Sequence, residues 1–350
     1  MSLKKTIRVL IVDDSLFFRT ALQKALAQDQ SLEIVGTASS ATDAERKIKE
    51  LEPDVVTMDV EMPDMKGTDF LRKLIPVHPV PVVLVSSTNI GIFESLDAGA
   101  VDFVRKPEGQ NGNDFQLFCN ELSVKVKIAS TAKVTKKNAS APFSGLPLPK
   151  LKADDESEHV IAIGASTGGT EATLEILKQF PPNIPGIVIV QHMPVGFTKM
   201  YADRMNRICQ FEVREAQNGD RVRAGLALLA PGDKHMTLAK DYKGYYVKCA
   251  SGDKVSGHCP SVDVLFRSVA HTAGRDAIGV ILTGMGRDGA QGLLEMRKSG
   301  SYTFGQDKAS SVVYGMPMVA YDIGAVVKQA PCQSIAGLII QRLNRSKGKQ

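Results

Sequence analysis

Short apolar runs, each closing on a polar or small residue and each leading into a helical stretch, recur along this 350-residue chain. Ile7-Arg8-Val9-Leu10-Ile11-Val12 ends in Asp13-Asp14. Ser15 then stands as the N-cap of a helix predicted to turn Leu16, Phe17, Ala21, Leu22, Ala25 and Leu26 inward. Glu33-Ile34-Val35-Gly36 precedes a helix from Thr42 to Leu51, and Asp54 to Met58 ends at Asp59. Pro81 to Val85 ends at Ser86, and Val101 to Val104 ends near Lys106-Pro107. Strands this short and apolar are buried on both faces, and alternation with helices makes their pairing parallel. Residues 1–122 therefore read as a doubly wound parallel sheet. The same grammar returns later in Ile161-Ala162-Ile163, Gly186 to Val190 and Ala277 to Leu282, so 159–350 reads as a second such sheet. Thr237 to Lys240 and Tyr245 to Ala250, joined at Lys243-Gly244, add a hairpin to it.

Length also argues for two domains. Between them, residues 123–158 are rich in Lys, Ala, Ser, Thr and Pro, including Pro142, Pro147 and Pro149, which is the composition of a flexible linker. Its first part, to about Ala132, extends the preceding helix. The net charge of +5 invites a nucleic-acid partner, but Ser123 to Ala153 holds seven lysines and no acid. Without them the folded parts are slightly acidic, and no basic recognition helix follows, so nucleic-acid binding is not expected. No apolar run has membrane-spanning length and no signal segment precedes the first strand, so the chain is expected in the cytoplasm, without membrane insertion. The five cysteines are scattered, which fits reduced thiols rather than disulfides or zinc.

In sheets of this kind the functional crevice lies beyond the carboxyl ends of the strands. In the first sheet that rule gathers Asp13, Asp14, Asp59, Ser86 and Lys106. Clustered carboxylates need a hard cation, and Mg²⁺ suits an all-oxygen set open to phosphoryl oxygens. Asp59 then reads as a nucleophile toward a phosphoryl group, with Lys106 neutralising charge and Ser86 donating a hydrogen bond. Helix capping accounts for Asp13 or Asp14 singly, not for the set.

In the second sheet Ser166 lies in Gly164-Ala165-Ser166-Thr167-Gly168, at a turn between a strand and a helix from about Thr170 to Gln179. Gly-x-Ser-x-Gly is compatible with a nucleophilic serine or with a plain anion-binding turn. Gln191-His192-Met193-Pro194 ends the next strand, and Thr283-Gly284-Met285-Gly286-Arg287-Asp288-Gly289 ends a third, ahead of a helix from Ala290 to Lys298. Ser166, His192 and Asp288 should thus converge for acyl transfer, with Met285 offering a backbone donor to an oxyanion. The order Ser…His…Asp differs from that of α/β-hydrolases. Asp233 with His235 is a rival pair, His258 beside Cys259 suggests a Cys/His site, and Asp288 is equally placed to cap the helix that follows it.

Two resemblances add to these readings. Asp13-Asp14, Met58-Asp59-Val60-Glu61-Met62-Pro63, Ser86, Phe103 and Lys106-Pro107 resemble the receiver domain of two-component response regulators, a flavodoxin-like fold. The resemblance implies phosphorylation of Asp59 by a histidine kinase, Mg²⁺ held at Asp13, Asp14 and Asp59, and Phe103 as an aromatic switch with Ser86. Ser87 to Ala98 is short for a loop plus a fourth helix.

Ile163 to Gly169, Val190 to Pro194, Ala230-Pro231-Gly232, Pro260 to Phe266, Leu282 to Gly289 and Ser311 to Pro317 resemble the catalytic domain of the chemotaxis protein-glutamate methylesterases, the CheB family. That implies a Rossmann-like domain with Ser166, His192 and Asp288 as triad, Thr167 in the site and Met285 as backbone oxyanion donor. It implies hydrolysis of glutamate γ-methyl esters, and deamidation of certain glutamines, on methylated chemoreceptors, with no cofactor for that reaction. The receiver would restrain the catalytic domain until the chemotaxis kinase phosphorylates Asp59. The chain departs from the family at Gly257-His258-Cys259, often more basic, and at Met318-Val319, where Arg-Glu is common.

Overall fold

The computed structural model describes residues 6–87, 91–107, 112–134, 149–151 and 159–346. The chain divides into two compact units, with the division between positions 142 and 143.

The first unit alternates strands β1 (Ile7–Val12), β2 (Leu32–Ala38), β3 (Val55–Asp59), β4 (Val82–Ser86) and β5 (Asp102–Arg105) with helices α1 (Leu16–Leu26), α2 (Ala41–Leu51), α3 (Gly67–Val77), α4 (Ile92–Asp97) and α5 (Gly112–Ala129). The sheet is parallel, in the order β2-β1-β3-β4-β5. Its order reverses between β1 and β3, which opens a crevice between Asp13 and Asp59. Val9 to Val12, Val55, Val56 and Val82 to Val85 are buried, as double-sided strands require.

Two expectations, the inner face of α1 and the linker lysines, need correction here. Leu16 and Phe17 are 70% and 83% exposed rather than core. The helix begins at Leu16, and its 3.6-residue period aligns Phe18, Leu22, Ala25 and Leu26 on the inner face instead. Phe18 packs against Phe115 and Phe118 of α5. The last helix continues into the first part of 123–158, as expected, and ends at Ala129, because Leu122, Val126 and Ala129 continue its buried stripe. Lys125 and Lys127 are therefore not linker charges: Lys125 pairs with Asp102 at 2.8 Å and Lys127 with Asp29 at 2.7 Å. Pro142 and Pro147 fall outside the described residues. The stretch from Ser87 to Ala98 contains only the six-residue α4, with 88–90 outside the described residues.

The second unit carries β6 (Val160–Ala165), α6 (Gly169–Leu177), β7 (Gly186–Gln191), α7 (Phe197–Ile208), β8 (Glu212–Glu215), β9 (Leu226–Leu229), β10 (His235–Asp241), β11 (Gly244–Ala250) and α8 (Val262–Thr272). These are followed by β12 (Ala277–Ile281), α9 (Ala290–Lys298), β13 (Tyr302–Gln306), α10 (Met316–Asp322), β14 (Lys328–Ala330) and α11 (Cys332–Ser346). The sheet order is β14-β13-β12-β6-β7-β9-β8, all parallel. The chain builds outward from β6 through β7, then crosses back to β12. The switch point therefore lies at the carboxyl end of β6. The β10–β11 hairpin forms a separate antiparallel ribbon. It buries Met236, Leu238, Tyr245 and Val247 in the cluster that holds Val262, Leu265, Phe266 and Val269 of α8. Each such side chain contributes roughly 1.5–3 kcal/mol by leaving water, so the ribbon is fixed firmly along α8. No helix among the described residues is long and apolar enough to cross a membrane.

Candidate active site

The turn after β6 brings the sequence-predicted residues of the second unit to one place. The Ser166 amide donates to the Thr283 carbonyl at 3.0 Å, and the His192 amide donates to the Ala165 carbonyl at 3.1 Å. Both bonds prolong the strand pairings of β6 with β12 and β7, so parallel register sets Ser166 beside the Thr283 turn and His192. Gly168 has φ +74°, a conformation that strains L side chains, and starts α6 directly behind the serine. Thr167 is buried, and its carbonyl accepts from the Thr283 hydroxyl at 3.0 Å.

His192 Nε2 lies 2.8 Å from Asp288 Oδ2, and the two side chains are 7% and 2% exposed. The other ring nitrogen, Nδ1, is buried and has no hydrogen-bond partner among the described residues. Asp288 does not cap α9, the helix that follows it; the N-cap there is Gly289, without a side-chain bond. It sits instead at the start of α8. Its Oδ1 accepts from the Ser261 hydroxyl at 2.7 Å and the Asp263 amide at 3.1 Å, and Oδ2 accepts from the Val262 amide at 2.8 Å. An anion at a helix N-terminus meets free N–H groups and the positive end of the helix dipole. Burial pushes the Asp288 carboxyl up, but the bonds from His192, Ser261 and Val262 outweigh it and hold it below its ordinary range.

The turn Gly284-Met285-Gly286 closes the site from the β12 side. Gly284 accepts from the Gly315 and Met316 amides at 3.1 and 2.7 Å. A Cβ on Gly284 would lie 2.6 Å from Ser166 Cβ, so only glycine lets this backbone approach the serine. Met285 is 43% exposed at that turn.

Three residues outside the expected triad also belong here, two of them, His235 and His258, first read in other pairings. Ser261 anchors Asp288 and caps α8. His258 stacks on His192 with ring centroids 3.7 Å apart and planes at 10°. His235 does not form the rival pair with Asp233; its ring lies between the Asp253 carbonyl and the Ser261 amide, at 2.8 and 3.2 Å. The Pro260-Ser261-Val262-Asp263 stretch does carry an N-cap signal, but nothing local says which acid that helix end holds. The Cys/His reading gains no support: burial, the largest influence, raises the Cys259 thiol, which disfavours a thiolate.

In the first unit Asp13, Asp14 and Asp59 present carboxylate oxygens within 4.8 Å of one another. Lys106 reaches Asp13 at 2.6 Å and Asp59 at 2.5 Å, and its ammonium lies 4.4 Å from the Phe18 ring centre. Burial raises the Asp59 carboxyl, against the pull of Lys106. Burial would lower Lys106, but its bonds to Asp13 and Asp59 hold it above its ordinary value. Three clustered carboxylates, two of them bonded to the Lys106 ammonium, form an oxygen-rich donor set that fits Mg²⁺. Ser86 and Phe103 are buried at the ends of β4 and in β5, and Lys125 covers the Phe103 ring at 5.1 Å.

Comparison with known proteins matches both units to described families. Residues 161–339 match the family model of the CheB methylesterase, and residues 9–112 match that of the response regulator receiver domain. A protein-glutamate methylesterase/protein-glutamine glutaminase of Syntrophomonas wolfei is 51% identical over 97% of this chain and 99% of its own. One from Syntrophotalea carbinolica is 49% identical over 98% and 99%. The crystal structure of the Thermotoga maritima CheB methylesterase catalytic domain superposes with a TM-score of 0.52 at 35% identity, covering 53% of this chain and 99% of that domain. A receiver unit, a serine at the switch point of a second parallel sheet and near full-length likeness lead to one statement: this chain belongs to the CheB family of protein-glutamate methylesterases/protein-glutamine glutaminases.

Proposed function

We propose that this hydrolase cleaves glutamate γ-methyl esters on cytoplasmic helices of chemoreceptors, and deamidates selected glutamines there, through an acyl-serine on Ser166. The observation that carries the reading is the buried His192–Asp288 pair with His192 Nδ1 left unpartnered at the turn that bears Ser166. A serine hydroxyl is a weak nucleophile at neutral pH. His192 removes its proton as Oγ attacks the ester carbonyl, and Asp288 stabilises the imidazolium that forms. The tetrahedral oxyanion is met by backbone N–H groups, that of Met285 among them, across the gap that Gly284 keeps open. Collapse breaks the ester C–O bond, and His192 returns the proton to the departing methoxide, giving methanol. A glutamine amide leaves as ammonia by the same route. Water, deprotonated by His192, then attacks the acyl-serine and releases the glutamate carboxylate. The hydrolytic step needs no cofactor.

The receiver unit would control the rate. Asp59 would accept a phosphoryl group from a chemotaxis histidine kinase, Asp13, Asp14 and Asp59 would hold Mg²⁺, and Lys106 would neutralise a phosphoryl oxygen. Such a cation would screen the phosphoryl charge against the clustered carboxylates. Ser86 and Phe103 respond to the phosphoryl group as hydroxyl donor and switch ring.

Methanol release from methylated receptor cytoplasmic fragments, with and without acetyl phosphate and Mg²⁺, tests both halves. Ser166→Ala should abolish release, and Asp59→Asn should keep basal release but lose stimulation. Full release by Ser166→Ala would sink the triad, and undiminished stimulation of Asp59→Asn would sink the phosphoacceptor.

A further inference from the structure

The β10–β11 hairpin lies outside the main sheet, yet its first residue touches the machinery that holds Asp288. Ser261 is the link. Its hydroxyl donates to Asp288 Oδ1 at 2.7 Å, and its amide N–H donates to His235 Nδ1 at 3.2 Å. The opposite ring nitrogen, His235 Nε2, lies 2.8 Å from the Asp253 carbonyl oxygen. The two contacts impose one protonation pattern. A carbonyl oxygen only accepts, so Nε2 carries the hydrogen. An amide N–H only donates, so Nδ1 carries none. The ring must be neutral and in the Nε2–H tautomer for both bonds to exist. The ribbon is held elsewhere along α8 as well, by the Ser268 hydroxyl accepting from the Leu238 amide at 2.8 Å and the Thr272 hydroxyl donating to the Leu238 carbonyl at 3.1 Å. Of these three contacts, that of His235 falls at the end of α8 that carries Ser261, Val262 and Asp263, three of the donors to Asp288.

We infer that His235 is a positioning residue for hydrolysis: as a neutral acceptor it sets the Ser261 backbone, and through Ser261 it sets the Asp288 carboxylate that orients His192. The inference rests on the triad reading above. Losing the acceptor leaves the Ser261 amide unsatisfied and frees the Ser261 hydroxyl from its line to Asp288. The misplacement falls on His192 rather than on substrate contacts. It is therefore a loss in kcat and not in KM.

The experiment uses the full chain and methylated receptor fragments. His235→Leu should lower kcat by about five- to thirtyfold with KM within about twofold, the size expected for one orienting hydrogen bond. His235→Asn, whose Oδ1 occupies the place of Nδ1, should recover most of kcat. Should His235→Leu fail to fold, His235→Gln takes its place with the same expectations, since it keeps a donor toward Asp253 but has no acceptor at the Nδ1 position. Unchanged kcat in the Leu or Gln variant, or equal impairment of His235→Asn, overturns the inference. Ser166→Ala run in parallel separates the two readings. A live Ser166→Ala enzyme overturns the triad itself, whereas a dead one beside an unaffected His235→Leu enzyme overturns the positioning role alone.

Discussion

Replacing Asp288 by asparagine keeps its shape and removes its charge. The carboxylate accepts four bonds in the structure, two on each oxygen: Ser261 and Asp263 on Oδ1, His192 and Val262 on Oδ2. An amide has one acceptor end. With oxygen toward Ser261, the NH₂ group faces the Val262 N–H and forces His192 to accept at Nε2, which puts the proton on the nitrogen meant to act as base. With oxygen toward His192, the tautomer survives, but the Asp263 N–H is orphaned and the imidazolium loses its counter-charge. Either way one buried helix N–H loses its acceptor, at about 1–3 kcal/mol, and the start of α8 loses an anion worth about 0.3–2 kcal/mol. The variant should be destabilised by about 3 kcal/mol at neutral pH, and kcat should fall by about a hundred- to ten-thousandfold. The chain has no tryptophan and all seven tyrosines follow residue 158, so tyrosine fluorescence during urea unfolding reports the catalytic unit alone. The pH dependence has a fixed sign. The Asp288 carboxyl is held below its ordinary range. Its contribution is therefore complete above the unfolded value of about 3.9 and disappears as pH falls through the lower folded value. The stability gap between the two proteins should be full at pH 7 and narrow only below about pH 4. A kcat within tenfold of the parent enzyme, or a gap that is the same at pH 3 and pH 7, would refute the reasoning.

Two further perturbations are informative. His258→Leu removes the ring stacked on His192 and should lower kcat by about two- to tenfold, with His258→Phe restoring it; an unaffected Leu variant would show that the stack does not steady the base. Chelation of Mg²⁺ by EDTA should abolish stimulation by acetyl phosphate while basal methanol release continues, because the steps proposed at Ser166 use no metal. A parallel loss of basal release would contradict that separation.

Much of the fold was legible from the chain because parallel strands buried on both faces must be short and continuously apolar. Ile7–Val12 and Gly186–Gln191 appear within a residue of where their runs predict them, and α9 at Ala290–Lys298 lies where its periodicity puts it. Strand-end placement then carried the chemistry. Asp13, Asp59, Ser166, His192 and Asp288 all follow or end strands, and a residue at that position has little choice of where to be. Helix faces were less secure. Leu16 and Phe17 are as apolar as any core residue, but one turn of a helix has too few residues to define a phase, and α1 turned Phe18 inward instead. The end of the first unit was blurred for a related reason. Lysines 125 and 127 look like linker until Asp102 and Asp29 supply their counter-charges from far along the chain.

The sequence by itself determined two parallel-sheet units, the family, and the candidate residues for each site. All of these follow from local pattern: hydrophobic period, turn chemistry, and what stands just past a strand. Only the tertiary structure decided how Asp288 is used. Its carboxylate serves a helix that begins 26 residues earlier in the chain, and that helix is in turn braced by a histidine a further 26 residues back. Hydrogen bonds between distant segments depend on how sheets stack and helices cross, and one chain read in order carries no local trace of them.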